Sequence, residues 1–314
     1  MPTVVVYHDA PIAAAIRDRV PELNVVEADT ESSVHRALGD AEIFVTNPTK
    51  WVDGFLDHLD EGDWMQATSI GYAAFPTDEF ERTNVTFTNS SSLHDAVVSE
   101  HAIALALALS RKLGTTFRQQ RERRWDRSVG SGMWSWNGRR MTVFGLGNIG
   151  EAVARRGRAL GLHVFGVKRT PATYTGVIEP DRVVGPERAN DLLEETDLLV
   201  LTVPLTDSTH HVIDESALAA LPDSAVLVNV ARGPVVDQDA LVAALENGEL
   251  RGAGLDVFEP EPLPEASPLW ERDDVVVTPH VGGRTDDFPD RFAELFAENY
   301  RYWRAGEPLV NRIA

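Results

Sequence analysis

The chain has no cysteine, which excludes disulfides, thiolate metal sites and a cysteine nucleophile. Lysine is scarce: Lys50, Lys112 and Lys168 are the only three among 29 basic residues. No long apolar run is present, and the most extended, residues 102–109, is far below the roughly 20 residues that a membrane span requires. Met1-Pro2 leads directly into Thr3-Val4-Val5-Val6-Tyr7, without a charged leader and apolar core. These absences give the expectation of a soluble, cytoplasmic protein.

Positive charge is the next shortage. Acidic residues number 49 against 29 basic ones, and the formal net charge is −20. Such an excess argues against nucleic acid or an anionic membrane as partner. Concentrated salt would screen the self-repulsion, so the acid-rich, lysine-poor balance gives the expectation of a halophilic protein. The 314 residues suffice for two domains, each with its own core.

Short apolar strands alternate with helical segments through the first hundred residues. Strands are predicted at 3–7, 24–27, 43–46, 65–69 and 85–88, and helices at 11–20, 32–38 and 51–58. Crossovers rather than two-residue hairpins connect the strands, so the sheet is predicted to be parallel. One long helix is predicted over 95–120, apolar on nearly every side and therefore buried. A second α/β series has strands at 141–144, 163–167, 198–203, 225–229, 252–256 and 275–278, and a helix at 288–305 closes the chain.

The second series carries the chemistry. Gly145-Leu146-Gly147-Asn148-Ile149-Gly150 follows one of its strands and precedes a helix at 151–160. In such a unit the first glycine permits a tight turn, the second admits a pyrophosphate against the backbone, and the third lets helix and strand pack closely. Free N–H groups at the helix start then hold the anion. The next strand ends in Lys168-Arg169-Thr170, where an NAD-binding chain would place a carboxylate for the ribose hydroxyls. Two cations at that point predict NADP(H) as the preferred cofactor, with NAD(H) also accepted.

Three further segments leave strand ends with functional side chains. Val228-Asn229-Val230-Ala231-Arg232-Gly233 delivers an arginine, whose planar fork suits a carboxylate. Gly254-Leu255-Asp256-Val257-Phe258-Glu259-Pro260-Glu261-Pro262 delivers carboxylates between stiffening prolines. Val275-Val276-Val277-Thr278-Pro279-His280-Val281-Gly282-Gly283 ends in a histidine suited to general acid/base work. A carboxylate beside it would favour its protonated form and fix its tautomer. No serine sits in a nucleophile elbow, which disfavours a hydrolase.

With Pro204-Leu205-Thr206, Thr209, Ser267-Pro268-Leu269-Trp270 and the helix bearing Glu100-His101 and Arg111, these segments resemble the D-isomer-specific 2-hydroxyacid dehydrogenase family. The resemblance implies two doubly wound parallel-sheet α/β domains with a cleft between them. A smaller flavodoxin-like substrate domain would comprise 1–95 and 287–314, and a Rossmann nucleotide domain 96–286. It implies that Arg232 binds the substrate carboxylate and carbonyl oxygen, that His280 exchanges a proton with that oxygen, and that Glu261 orients His280. Glu261 is chosen over Glu259 on the family spacing from Asp256. Members that oxidise formate carry glutamine at that point, which disfavours formate here.

The resemblance further implies that the turn Ser69-Ile70-Gly71-Tyr72 meets the substrate carboxylate, although the acidic residue common near Ala73 is absent. Cofactor contacts would come from Gly145, Gly147, Asn148, Ile149, Gly150, Pro204, Thr209, Val230, Asp256 and Gly282, with Val98 near the nicotinamide. The implied reaction is reduction of a small 2-ketoacid to the D-2-hydroxyacid, with no metal required. Related scaffolds serve as nucleotide-sensing corepressors, the alternative outside enzymes, and phosphoglycerate dehydrogenase is the alternative within them. The end of the chain at Ala314, without an appended regulatory domain, favours neither. A homodimer is implied, with the helix at 95–120 and the segment bearing Arg121, Arg123, Arg124, Trp125, Trp134 and Trp136 at its interface; those tryptophans could equally cover the domain's own core.

Overall fold

The computed structural model describes residues 1–314 apart from 53, 73, 92 and 177, together with the side chains of all described residues except Thr173. The chain forms two compact units, Met1–His94 with Arg284–Ala314, and Asp95–Gly283. The first begins with β1 (Thr3–Tyr7), α1 (Ile12–Arg19), β2 (Asn24–Glu27), α2 (Glu31–Leu38), β3 (Ile43–Thr46), β4 (Trp64–Ala67), α3 (Thr77–Thr83) and β5 (Thr86–Thr88). The second contains α4 (Asp95–Ser110), α5 (Leu113–Arg121), β6 (Arg140–Phe144), α6 (Asn148–Ala159), β7 (His163–Val167), β8 (Arg182–Val184), α7 (Asn190–Leu193) and β9 (Leu198–Leu201). It continues through α8 (Glu215–Ala220), β10 (Val226–Asn229), α9 (Gln238–Asn247), β11 (Gly252–Leu255) and β12 (Val275–Val277). Helix α10 (Phe288–Ala305) then returns the chain to the first unit and packs on α1.

Both sheets are parallel throughout. The first runs in the order β2-β1-β3-β4-β5, the flavodoxin-like arrangement, and the second in the order β12-β11-β10-β9-β6-β7-β8, the Rossmann arrangement with one added strand. The expected pair of parallel-sheet α/β domains is therefore present. Buried strands carry apolar residues on both faces, as a helix-covered parallel sheet requires. In β1, Val4 and Val6 join Ile12, Ile16 and Phe292 on one face, while Val5 joins Leu38, Phe44 and Phe80 on the other. In β9, Leu198 and Val200 face one core and Leu199 and Leu201 the second. Trp64 stacks on Phe296 of α10 with ring centroids 4.9 Å apart, which fixes the returning helix. No helix among the described residues is long and apolar enough to cross a membrane.

Two sequence expectations are corrected. The predicted helix over 95–120 is two helices: Lys112 takes the left-handed conformation at φ 51°, and the Ser110 carbonyl accepts instead from the Trp134 N–H at 3.1 Å. The helix predicted over 51–58 is only a short 3-10 turn, Leu56–His58, because Gly54 sits at φ +90°; Asp53 lies outside the described residues. Helix α3 and strand β8 were not anticipated. Of the tryptophans, Trp136 is buried and donates to the Ala106 carbonyl at 3.2 Å, as a residue of the domain's own core does; Trp134 lies under the Arg251 guanidinium, and Trp125 is exposed.

Candidate active site

The glycine turn leaves β6 with its carbonyls already claimed. Thr202 Oγ1 donates to the Gly145 carbonyl at 2.7 Å, and Lys168 Nζ donates to the Leu146 carbonyl at 2.7 Å. Gly145 occupies φ +112°, and a Cβ on Gly150 would stand 1.9 Å from the Gly145 oxygen, so both positions exclude a side chain. A Cβ on Gly147 would meet nothing within 4 Å, leaving backbone open to an incoming group. Helix α6 starts there without a side-chain cap, and among the described residues the N–H groups of Asn148, Ile149 and Gly150 have no partner. Uncapped first-turn amides at the positive helix end form an anion site that fits a dinucleotide pyrophosphate.

Lys168 is thus tied into the turn and also lies over the Tyr174 ring at 5.8 Å. Arg169 beside it is exposed and makes no ion pair among the described residues, and Thr170 is exposed. Thr209 Oγ1 donates to the Pro204 carbonyl at 2.7 Å and accepts from Thr206 N–H at 2.8 Å, holding the loop after β9. Val98 and Val230 are buried in the core beneath the sheet.

Three strand ends of the same unit converge on His280. After β10, buried Asn229 brackets the turn: its Oδ1 accepts from Ala231 N–H at 3.0 Å and its Nδ2 donates to the Arg232 carbonyl at 3.0 Å. Arg232 Nη1 reaches the Ala231 carbonyl at 2.6 Å. Burial pushes the Arg232 guanidinium down, with Glu261 opposing the shift. A Cβ on Gly233 would fall 1.8 Å from the Phe258 carbonyl oxygen, so only glycine allows the Arg232 turn to lie against the loop after β11.

That loop presents Glu261. Its Oε1 accepts from the Phe258 N–H at 3.0 Å, and its Oε2 lies 2.8 Å from His280 Nδ1. A carboxylate only accepts, so Nδ1 carries the proton in this bond and Nε2 is the atom left to exchange one with a substrate. Glu259 instead pairs with His211 Nε2 at 2.9 Å, and Gln238 holds its backbone through bonds at 2.8 and 3.1 Å. The His280 ring is about half exposed, its side chain retaining 47% of its accessible surface.

His280 itself is left-handed, at φ 52°, a strained conformation for a side-chain-bearing residue. Asp256 holds it there. The Asp256 carbonyl accepts from His280 N–H at 2.8 Å, and its buried carboxylate accepts from Thr278 Oγ1 at 2.6 Å, Val281 N–H at 3.0 Å and Gly282 N–H at 2.8 Å. Thr278 has one hydroxyl proton and gives it to Asp256, so the His101 Nε2 proton is shared between Thr278 Oγ1 at 2.8 Å and Asp256 Oδ1 at 3.3 Å. Burial alone pushes the Asp256 carboxyl up, but hydrogen bonds from His101, Thr278, Val281 and Gly282 outweigh it and hold it below its ordinary value. Gly282 has its N–H committed to Asp256, so it offers a cofactor no free amide. Sequence reasoning missed this network, and no local spacing could reveal a His101–Thr278 pair 177 residues apart.

In the first unit, the turn after β4 has its carbonyls pinned. Ser90 N–H donates to Ser69, Asn89 Nδ2 to Ile70 at 2.8 Å, and Ser69 Oγ to Gly71 at 2.7 Å. Among the described residues the amides of Ile70 and Gly71 have no partner. Ala73 lies outside the described residues.

Comparison with known proteins adds to this geometry. The family model for the D-isomer specific 2-hydroxyacid dehydrogenase, NAD binding domain, matches residues 103–282. Glyoxylate/hydroxypyruvate reductase B of Pectobacterium carotovorum is 34% identical over 323 aligned positions, covering 99% of this chain and 98% of that protein. A D-isomer specific 2-hydroxyacid dehydrogenase family protein from Aeromonas salmonicida superposes with a TM-score of 0.86 at 30% identity, covering 100% of this chain and 99% of that one. A relative from Xanthobacter autotrophicus, solved with NADPH, gives a TM-score of 0.82 at 29% identity, covering 100% of this chain and 98% of that one.

Proposed function

The chain belongs to the D-isomer specific 2-hydroxyacid dehydrogenase family, and on that premise we propose that it reduces a small 2-ketoacid, with glyoxylate and hydroxypyruvate foremost, to the D-2-hydroxyacid using NADPH. The observation that carries this reading is the His280–Glu261 pair at 2.8 Å, with Arg232 on the adjoining turn. When bound, the nicotinamide supplies the hydride that C2 of the ketoacid accepts. His280 Nε2 gives the proton that the carbonyl oxygen gains, while Nδ1 stays bonded to Glu261. Glu261 keeps the ring in that orientation. Arg232 binds the substrate carboxylate and carbonyl oxygen, on a backbone turn held by the Asn229 clamp. On the family pattern, the amides of Ile70 and Gly71 also meet the substrate carboxylate.

The amides of Asn148 and Ile149 would hold the pyrophosphate, and Pro204, Thr209, Val230 and Asp256 would line the rest of the cofactor. NADPH is favoured because Arg169, at the end of β7, is a cation without an ion pair among the described residues, and Lys168-Arg169-Thr170 holds no carboxylate to bind a free ribose hydroxyl. Lys168 positions the glycine turn and so serves either cofactor. Two relatives support the choice of cofactor and substrate: the Xanthobacter autotrophicus structure contains NADPH, and the Pectobacterium carotovorum protein is a glyoxylate/hydroxypyruvate reductase. The test is initial-rate oxidation of NADPH and NADH, in molar KCl, against glyoxylate, hydroxypyruvate, pyruvate and branched 2-ketoacids. NADPH turnover with glyoxylate and hydroxypyruvate is expected. A preference for NADH would overturn the cofactor assignment.

A further inference from the structure

We propose that His210, His211 and Glu259 form a binding site for a divalent transition metal ion of the zinc type, separate from the His280 machinery. One ligand atom from each of the three lies within 4.8 Å of the others, the one such cluster among the described residues. Two imidazoles and a carboxylate are a donor set that suits zinc. Metal–ligand bonds of about 2.0–2.2 Å in a tetrahedron put donor atoms about 3.4 Å apart. His211 Nε2 and Glu259 Oε2, at 2.9 Å, are already close to that spacing, and rotation of the exposed His210 ring brings in the third. The ion would replace the proton that His211 and Glu259 now share, and water would complete the shell.

The backbone is arranged for convergence. Consecutive side chains in an extended segment point to opposite sides, but His211 is left-handed at φ 48°, and the His210 and His211 rings lie with centroids 4.0 Å apart and planes 31° apart. His210 N–H is anchored on the Thr206 carbonyl at 2.9 Å and His211 N–H on the Pro234 carbonyl at 2.8 Å. Gln238 grips the Glu259 backbone from both sides, an outer-shell support of the kind that fixes a ligating loop. The ion would join the loop after β9, which carries Pro204 and Thr209, to the loop that carries Glu261 two residues beyond Glu259. Its role is a brace between those loops, and turnover does not require it.

Titration of the chelator-treated full chain with Zn2+ tests this, using calorimetry and metal analysis after gel filtration. One Zn2+ per chain is expected, with affinity reduced at least tenfold in His210→Ala and in Glu259→Gln and unchanged in the control His163→Ala. Zn2+ should also raise the thermal midpoint of the parent chain and leave that of His210→Ala unmoved. His210 is exposed, so its truncation leaves the fold intact and the test stands even if Glu259→Gln misfolds. Absence of stoichiometric Zn2+ in the parent chain, or equal affinity in His210→Ala, would overturn the proposal.

Discussion

Replacing Asp256 with asparagine probes how the left-handed His280 turn is held. Asp256 is 3% exposed, and its carboxylate accepts from Thr278 and Val281 at Oδ1 and from Gly282 at Oδ2, with His101 Nε2 a further 3.3 Å from Oδ1. Asparagine offers one oxygen. In its better orientation the amide oxygen keeps Thr278 and Val281, and the NH2 group faces the Gly282 N–H, donor against donor. One buried donor is left unpaired and two charge-assisted bonds become neutral ones, together a loss of roughly 2–4 kcal/mol. That is a large share of a typical total of about 5–15 kcal/mol. The assay is urea unfolding of the cofactor-free protein, read across pH.

The pH dependence has a definite sign. Asp256 is held below the ordinary value of 3.8, so its contribution is fully present above that value and is lost as pH falls through the lower folded value. The gap between parent and Asp256→Asn should therefore be constant at neutral pH and shrink in acid below about pH 4. Activity should fall at least tenfold, since the turn that follows His280 loses its Gly282 anchor. A variant within about 0.5 kcal/mol of the parent, with a gap independent of pH, would refute the reasoning.

The remaining predictions concern other parts of the fold. Arg169→Ala should raise the KM for NADPH at least tenfold and leave that for NADH nearly unchanged, whereas Lys168→Ala should affect both cofactors because the Leu146 carbonyl loses its donor; equal effects of Arg169→Ala on the two cofactors would contradict the phosphate reading. Gly233→Ala would put a methyl group 1.8 Å from the Phe258 oxygen and push the Glu261 loop away, so kcat should drop about a hundredfold; a change under twofold would show that the close approach is dispensable. With a net charge of −20, stability should rise from dilute buffer to molar KCl, and sedimentation in that salt should give a homodimer; greater stability in dilute buffer would count against halophilic adaptation, and a monomer against the dimer.

Much of the fold was legible in local pattern. Short apolar runs located β1, β7 and β10, and Gly306, left-handed at φ 68°, ends α10 at the expected residue 305. The glycine turn was readable because tight turning, backbone exposure and helix packing each demand glycine at a fixed position. What could not be read depends on distant partners. The break after Ser110 follows from a Trp134 amide that takes its carbonyl, and Lys168 looks like a free cation until the Leu146 carbonyl is seen beneath it. The two carboxylates after β11 are alike in sequence, and it is their partners, His211 for Glu259 and His280 for Glu261, that distinguish them. Asp256 holds the backbone after β12, with Thr278 and His101 joining it from elements far along the chain.

The central claim is that His280 exchanges a proton with the carbonyl oxygen of a 2-ketoacid. It is tested most directly by single-turnover reduction of hydroxypyruvate with NADPH by the parent chain and by His280→Gln. The account predicts turnover by the parent and a loss of about 10²–10⁴-fold in the variant, with NADPH affinity preserved. Equal rates in the two proteins, or no turnover by a folded parent that binds NADPH, would contradict it.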